Sequence, residues 1–210
     1  MEKTRLTKPT AYTLAPRPLV LVISDWFCRL YHCVAEKLWR MPKNFSLGGN
    51  RSVSVKKQDA DLHVTIAEEG SDVKTVTFPS QRWGRFMEVL PQVEEAVNQL
   101  QAKQFVQLSL HLGGSYYLSI TTGFQCVDIR EYYFNRTMKE VKPCKKGIAL
   151  RLPEWTTLKN VIQQINKKHA VLANAQSCAY QLDHQNLEGA LNCAECHPFH
   201  YTELFHSLNV

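Results

Sequence analysis

The sequence predicts an α+β protein made of two tandem copies of one unit, a set of strands followed by a single helix. Three observations lead there. The chain repeats itself from residue 45 onward, each copy carries period-two apolar alternation, and each copy ends in a Trp-led stripe at helical spacing.

The repeat has three blocks in the same order. Phe45–Val55 recurs as Leu110–Ile120, 65 residues later. Val64–Glu69 recurs as Val127–Tyr132 at an offset of 63. Lys74, Val76, Phe78, Trp83 and Phe86 recur as Lys146, Ile148, Leu150, Trp155 and Leu158 at an offset of 72. The step from 63 to 72 places a nine-residue insertion in the second copy, between Tyr132 and Lys146.

Ahead of the repeat, residues 1–18 read as a basic tail with Pro9, Pro16 and Pro18. Trp26, Leu30, Val34 and Leu38 then space a helix that packs on the main domain, with a membrane-surface helix as the alternative reading. The apolar run Leu19–Ser24 is broken by Asp25 and Arg29 too early for a membrane span. In the first copy Val53 and Val55, then Leu62, Val64 and Ile66, then Val76 and Phe78 alternate with polar neighbours as half-buried strands do. Leu118 and Ile120, Val127 and Ile129, and Ile148 and Leu150 repeat the pattern. Gly48-Gly49 and Gly113-Gly114 mark a turn before the second strand of each copy. Trp83, Phe86, Leu90, Val93, Val97 and Leu100 form the first helical stripe, where Pro91 is expected to kink or split the helix. Trp155, Leu158, Ile162, Ile165 and Leu172 form the second, with Pro153 in a tolerated first-turn position. Each Trp leads an apolar stripe and is therefore assigned to the core.

These elements divide the chain into a basic tail and apolar helix (1–44), a degenerate first copy (45–102), a second copy (103–172) and an acidic Cys/His tail (173–210). The formal charge of +6 is unevenly spread. Residues 103–172 carry 11 basic and 4 acidic side chains, whereas residues 173–210 carry 4 acidic and no Lys or Arg. A polyanion is therefore attracted by the second copy and repelled by the tail. Seven cysteines, an odd number without the spacing of a small disulfide scaffold, fit a reducing compartment.

Three stretches of the second copy stand out: Val127-Asp128-Ile129-Arg130-Glu131-Tyr132-Tyr133, then Lys142-Pro143-Cys144-Lys145-Lys146-Gly147-Ile148, then Pro153-Glu154-Trp155 with Leu158-Lys159. In order and spacing they resemble the C-terminal domain of the positive cofactor four family of RNA polymerase II transcriptional coactivators. Tyr133 stands where the family has Trp, and Cys144 where it has Gly. The resemblance implies a curved antiparallel four-stranded sheet followed by a helix, pairing through the helices, and binding of single-stranded or unwound DNA. It implies a nuclear, non-enzymatic protein that meets the transcription machinery. Two copies in one chain would supply the helix partner internally, giving an intramolecular pseudo-dimer with further dimerisation left open. The first copy has Ala67 at the place of Arg130 and lacks the basic insertion.

For binding, Arg130, Arg136, Lys139, Lys142, Lys145 and Lys146 are the expected phosphate contacts. Tyr133 is the expected stacking ring, with Tyr116, Tyr117 and Phe124 as weaker candidates, of which Phe124, in the turn after Gly123, can reach the same groove. The basic run is read as a loop. In the tail, Cys193-Ala194-Glu195-Cys196 is a two-residue-spaced pair, and Cys178 and His184 lie upstream. Those four make a knuckle-like zinc set, in which His197 or His200 are alternative members. Two other functions remain open: a single-strand-binding protein of replication, repair or a mobile element, and a protein-interaction scaffold whose zinc tail is the working part. No nucleophile–base–orienter set for catalysis is evident.

Overall fold

The computed structural model describes residues 44–71, 74–180, 184 and 186–199. The chain divides into two compact units, Met1–Met41 and Pro42–Val210, and the described residues all belong to the second. The basic tail and the helix expected over 19–40 lie outside them.

Two four-stranded antiparallel sheets, each followed by a helix, make up this unit. The first has strands β1 (Asn44–Gly48), β2 (Arg51–Gln58), β3 (Asp61–Glu68) and β4 (Thr75–Phe78) in simple meander order, then α1 (Ser80–Gln101). The second has β5 (Gln107–Gly113), β6 (Tyr116–Thr121), β7 (Cys126–Asn135) and β8 (Glu140–Arg151) in the same order, then α2 (Leu152–Lys168). A short α3 (Ala170–Ala173), a 3-10 turn (Cys178–Tyr180) and α4 (Leu187–Asn192) follow.

The repeat read from the sequence is also a repeat of irregularities. Pairing shifts between Ser46 and Gly48 in β1, and between His111 and Gly113 in β5. An ion pair recurs too: Lys74 Nζ lies 2.6 Å from Glu68, and Lys146 Nζ lies 3.6 Å from Glu131. Each pair closes the edge between the third and fourth strand of its sheet.

Two local expectations are narrowed. Of the kink or split expected at Pro91, the split does not occur: α1 runs as one helix over 22 residues with Pro91 on its exposed side. The second stripe does not run through one helix, because α2 ends at Lys168 and Leu172 packs into the core from α3.

Alternation sends Val53, Val64, Ile66, Val76 and Phe78 of one sheet, and Leu112, Leu118, Ile120, Val127, Ile129, Ile148 and Leu150 of the other, into a single buried cluster. The helices fill the space between. Trp83 and Trp155 are fully buried, as their lead position in each stripe predicts. Phe86 stacks on Phe78 of its own sheet and meets Trp155 of the other copy edge-on, with ring centroids 6.2 Å apart. Trp83 Nε1 donates to Asn166 Oδ1 at 3.1 Å, and Lys159 pairs with Glu94 at 3.5 Å. Pairing 83 with 166 and 94 with 159 means that the helices run antiparallel. The apolar face that each sheet–helix unit presents is thus covered within the same chain.

Because Phe86 touches both halves, Phe86→Ala is expected to cost about 3–5 kcal/mol, the usual price of truncating a buried aromatic. Urea unfolding followed by both fluorescence and far-UV circular dichroism should show this loss as one transition. Two separated transitions would mean that the halves fold independently.

Candidate nucleic-acid interface and metal centre

The outward face of the second sheet is set by the same alternation that builds the core. With Val127 and Ile129 buried, Cys126, Asp128, Arg130 and Tyr132 project from the opposite side of β7. Tyr117, Ser119 and Thr121 of β6 and Ala149 of β8 join them. A groove results, lined by Ser119, Thr121, Phe124, Cys126, Asp128, Arg130, Tyr132, Pro143 and Ala149. Phe124, 67% exposed, stands at one end. At the other, His111, Tyr117 and Tyr132 form a run of rings with centroids 4.9 and 4.7 Å apart. Burial raises the Tyr117 phenol further above its ordinary pKa.

The expected basic loop is a hairpin arm. Tyr132–Asn135 pairs with Glu140–Pro143 beyond the end of the sheet proper, and the turn between them carries Arg136 and Lys139. Hydrogen-bonded strand continues through the insertion because Tyr132-Tyr133-Phe134 and Val141 are good strand formers. Where arm meets sheet the register slips: Arg130 faces Gly147 and Tyr132 faces Pro143, so Cys144, Lys145 and Lys146 bulge out opposite Glu131 alone.

Arg130 holds this bulge. Its guanidinium takes both carboxylate oxygens of Asp128, one at 2.7 Å, and its Nη1 donates to the Cys144 carbonyl at 3.3 Å. The hydrogen bonds that Arg130 donates to Asp128 raise its already high pKa, so its cation is permanent and largely compensated. The side chain is thus tied to both strands at the junction of arm and sheet. Gly147 makes the arrangement fit, since a Cβ there would lie 2.2 Å from Arg130 Cβ.

The remaining predicted residues fall into two groups. Lys142 pairs with Glu140 at 2.7 Å, and Lys146 with Glu131. Among the described residues, Lys139 and Lys145 form no ion pair; both are exposed, as is Arg136. Tyr133 is 47% exposed, but alternation puts it on the face of β7 opposite Arg130 and Tyr132. Tyr132 was missed by sequence reasoning although its signal was present, two residues after Arg130 on a strand.

A second cluster lies in the tail. The donor atoms of Cys178, His184, Cys193 and Cys196 all lie within 4.8 Å of one another. Cys178 Sγ is 3.3 Å from Cys193 Sγ and 3.6 Å from His184 Nε2. Tetrahedral zinc with thiolate bonds of about 2.3 Å needs sulfurs about 3.8 Å apart and slightly shorter sulfur–nitrogen spacings, so the quartet fits that ion. Burial works to raise the Cys193 thiol, but the backbone N–H groups of Cys196 and Glu195, with Cys178 and His184, bring it down to about 7. Burial pushes Cys178 and Cys196 up. His197 is outside the quartet, and His200 lies outside the described residues.

The second copy is thus a meander sheet followed by a helix, with an aromatic groove and a basic arm on its outer face. Residues 122–161 match the family described as Transcriptional Coactivator p15 (PC4). A Caenorhabditis elegans protein named "Putative RNA polymerase II transcriptional coactivator" is 44% identical over 46 residues, which is 22% of this chain and 37% of that relative. No solved structure matches significantly. The matched stretch runs from the groove through the arm into α2, while the first sheet lies outside it.

Gly147→Ala should disturb the junction of arm and sheet. The expected loss is about 1–3 kcal/mol in urea unfolding, typical of forced overpacking. Loss of near-native exchange protection in residues 140–147, with the rest of β7 and β8 protected, would locate the damage at the bulge.

Proposed function

We propose that the protein binds single-stranded or locally melted DNA through the second sheet and acts as a nuclear transcriptional coactivator. The observation that carries this reading is a coincidence: residues 122–161, which match the coactivator family, supply Phe124, Arg130, Tyr132 and the entire arm. Bases stack on Phe124 and Tyr132 in the groove, where a strand's flat faces find exposed rings. Phosphates follow Arg136, Lys139, Lys142 and Lys145 along the arm, with Lys146 at its base. Tyr133, on the arm's other face, contacts a strand that wraps around the arm. Duplex DNA keeps its bases paired and stacked, so it offers the rings nothing. No catalytic step is assigned.

The first sheet supports a one-sided site. Its outward face presents Ser52, Ser54, Thr65 and Thr77, with the two Thr hydroxyls 3.1 Å apart. The same face carries Lys56 and His63, the latter 19% exposed with Asp61 3.8 Å away, and no arm extends it. The Cys178, His184, Cys193 and Cys196 quartet is proposed to hold Zn²⁺, as an element of structure. Among the described residues no helix is long and apolar enough to cross a membrane.

Titration of a labelled oligonucleotide, single-stranded against duplex, at about 50 and 200 mM salt tests the reading. Single strands should bind more tightly, with a steep salt slope. Lys145→Ala should lower that slope by about 0.7, the value for one lost phosphate contact on a single strand. Tyr132→Ala should cost about 1–3 kcal/mol whatever the sequence. Absence of single-strand binding at the lower salt would sink the proposal. Stimulation of a purified promoter system, lost in the same variants, tests the coactivator role separately.

A further inference from the structure

The two halves meet at two equivalent joints, and only one of them is complete within the repeat. At the first joint Glu154, in the opening turn of α2, accepts from the Arg151 backbone N–H at 2.7 Å and pairs with Arg51 at the start of β2. It packs on the first Gly–Gly turn, where a Cβ on Gly49 would lie 3.0 Å from its carboxylate. An acid in the first turn also complements the positive end of the helix.

At the second joint the same positions hold other residues. Arg82 stands in α1 where Glu154 stands in α2, and Tyr116 begins β6 where Arg51 begins β2. Arg82 lies over the Tyr116 ring, 4.9 Å from its centroid. The opening turn of α1 has no acid, and it carries a cation at the helix end that disfavours one. The missing carboxylate comes from outside the repeat. Glu195, between the two cysteines of the tail pair, takes Arg82 Nη2 at 2.5 Å and Nε at 3.3 Å. Its backbone carbonyl accepts from Gly114 N–H at 2.7 Å. The second Gly–Gly turn is shaped to receive it: a Cβ on Gly113 would lie 2.6 Å from the Glu195 carboxylate, and one on Gly114 would lie 2.6 Å from Arg82.

We propose that the Cys178–His184–Cys193–Cys196 site is a Zn²⁺ strap whose task is to seat Glu195 in this joint. This rests on the zinc reading above. Two residues of a four-residue loop are ligands, so binding the ion fixes the backbone of the residue between them. The connecting chain is itself guided, because Ala175 and Gln176 cross α1 at Gly84, where a Cβ would lie 2.6 Å from the Ala175 carbonyl oxygen. Zinc thus locks the second sheet, the one that carries the groove, against the helix of the first.

The experiment uses the full chain under reducing conditions, loaded with Zn²⁺, and reads metal content together with hydrogen exchange in a peptide spanning Gly113 and Gly114. About one zinc per chain is expected, and chelation should speed exchange at that turn. Glu195→Gln should retain the zinc and speed exchange at the turn about tenfold, the scale of one lost charge-assisted hydrogen bond. Cys193→Ser should lose the metal and reproduce the chelated pattern. A wild-type chain without zinc overturns the zinc reading and the strap together. Zinc bound at full stoichiometry, with turn exchange unchanged by chelation or by Glu195→Gln, overturns the strap alone.

Discussion

The shared aromatic core between α1 and α2 is the constraint on which the rest depends. A four-stranded sheet has one apolar face, and a single helix cannot cover it while hiding its own far side. Trp83, Phe86 and Trp155 resolve this by giving each helix an apolar partner from the other copy. Asn166 then satisfies the Trp83 indole N–H, so the contact is specific in register as well as apolar. Removing either half would expose much of the other's core to water.

Joining the copies in one chain changes what the surfaces can become. A symmetric dimer must carry any substitution twice, on both sides of its axis. Here the buried faces must stay complementary, while the outward faces are free to diverge. One sheet has Ser and Thr outward with Lys56 and a single ring, His63; the other has His111, Tyr117 and Tyr132 in a ring ladder and an arm added at its far end. The charge follows: the basic side chains gather on the half with the arm. Even the joints diverge, with an Arg–Glu pair inside the repeat at one and an Arg–Glu pair to the tail at the other.

Much of this was legible in the sequence, for identifiable reasons. Sheet and helix periodicity is a local signal, so the strands, the two Trp-led helices and the burial of both Trp residues followed directly. The repeat offsets located the insertion. The arm was misread as a loop because its Lys and Pro suggest solvent and hide the strand-forming Tyr132–Phe134 and Val141. Which of kink or split would follow at Pro91 was open, because the cost of Pro91 is offset by the core contacts of Phe86, Val89 and Val93, which a local rule cannot see. The ion pair of Arg130 with Asp128 is two residues apart on one strand face and could have been anticipated from alternation. The contact of Glu195 with Arg82, across 113 residues, could not, since nothing local encodes it.

The repeat also acts as an internal control that separates residues of the fold from residues of function. Lys146 is basic, exposed and next to the arm, and composition alone would rank it among the best phosphate contacts. Yet its equivalent Lys74, in the half without the arm, makes the same pair with the equivalent glutamate. Part of Lys146 therefore belongs to the fold. The opposite holds where the copies disagree. Phe124 replaces Asp61, whose carboxylate accepts from the Ser80 backbone N–H at 3.1 Å at the start of α1. Arg130 replaces Ala67, Tyr132 replaces Glu69, and the arm has no counterpart. Where the first copy makes a helix contact through Asp61, the second has an exposed ring. A fold gains nothing from that exchange; a surface that stacks on a ligand does.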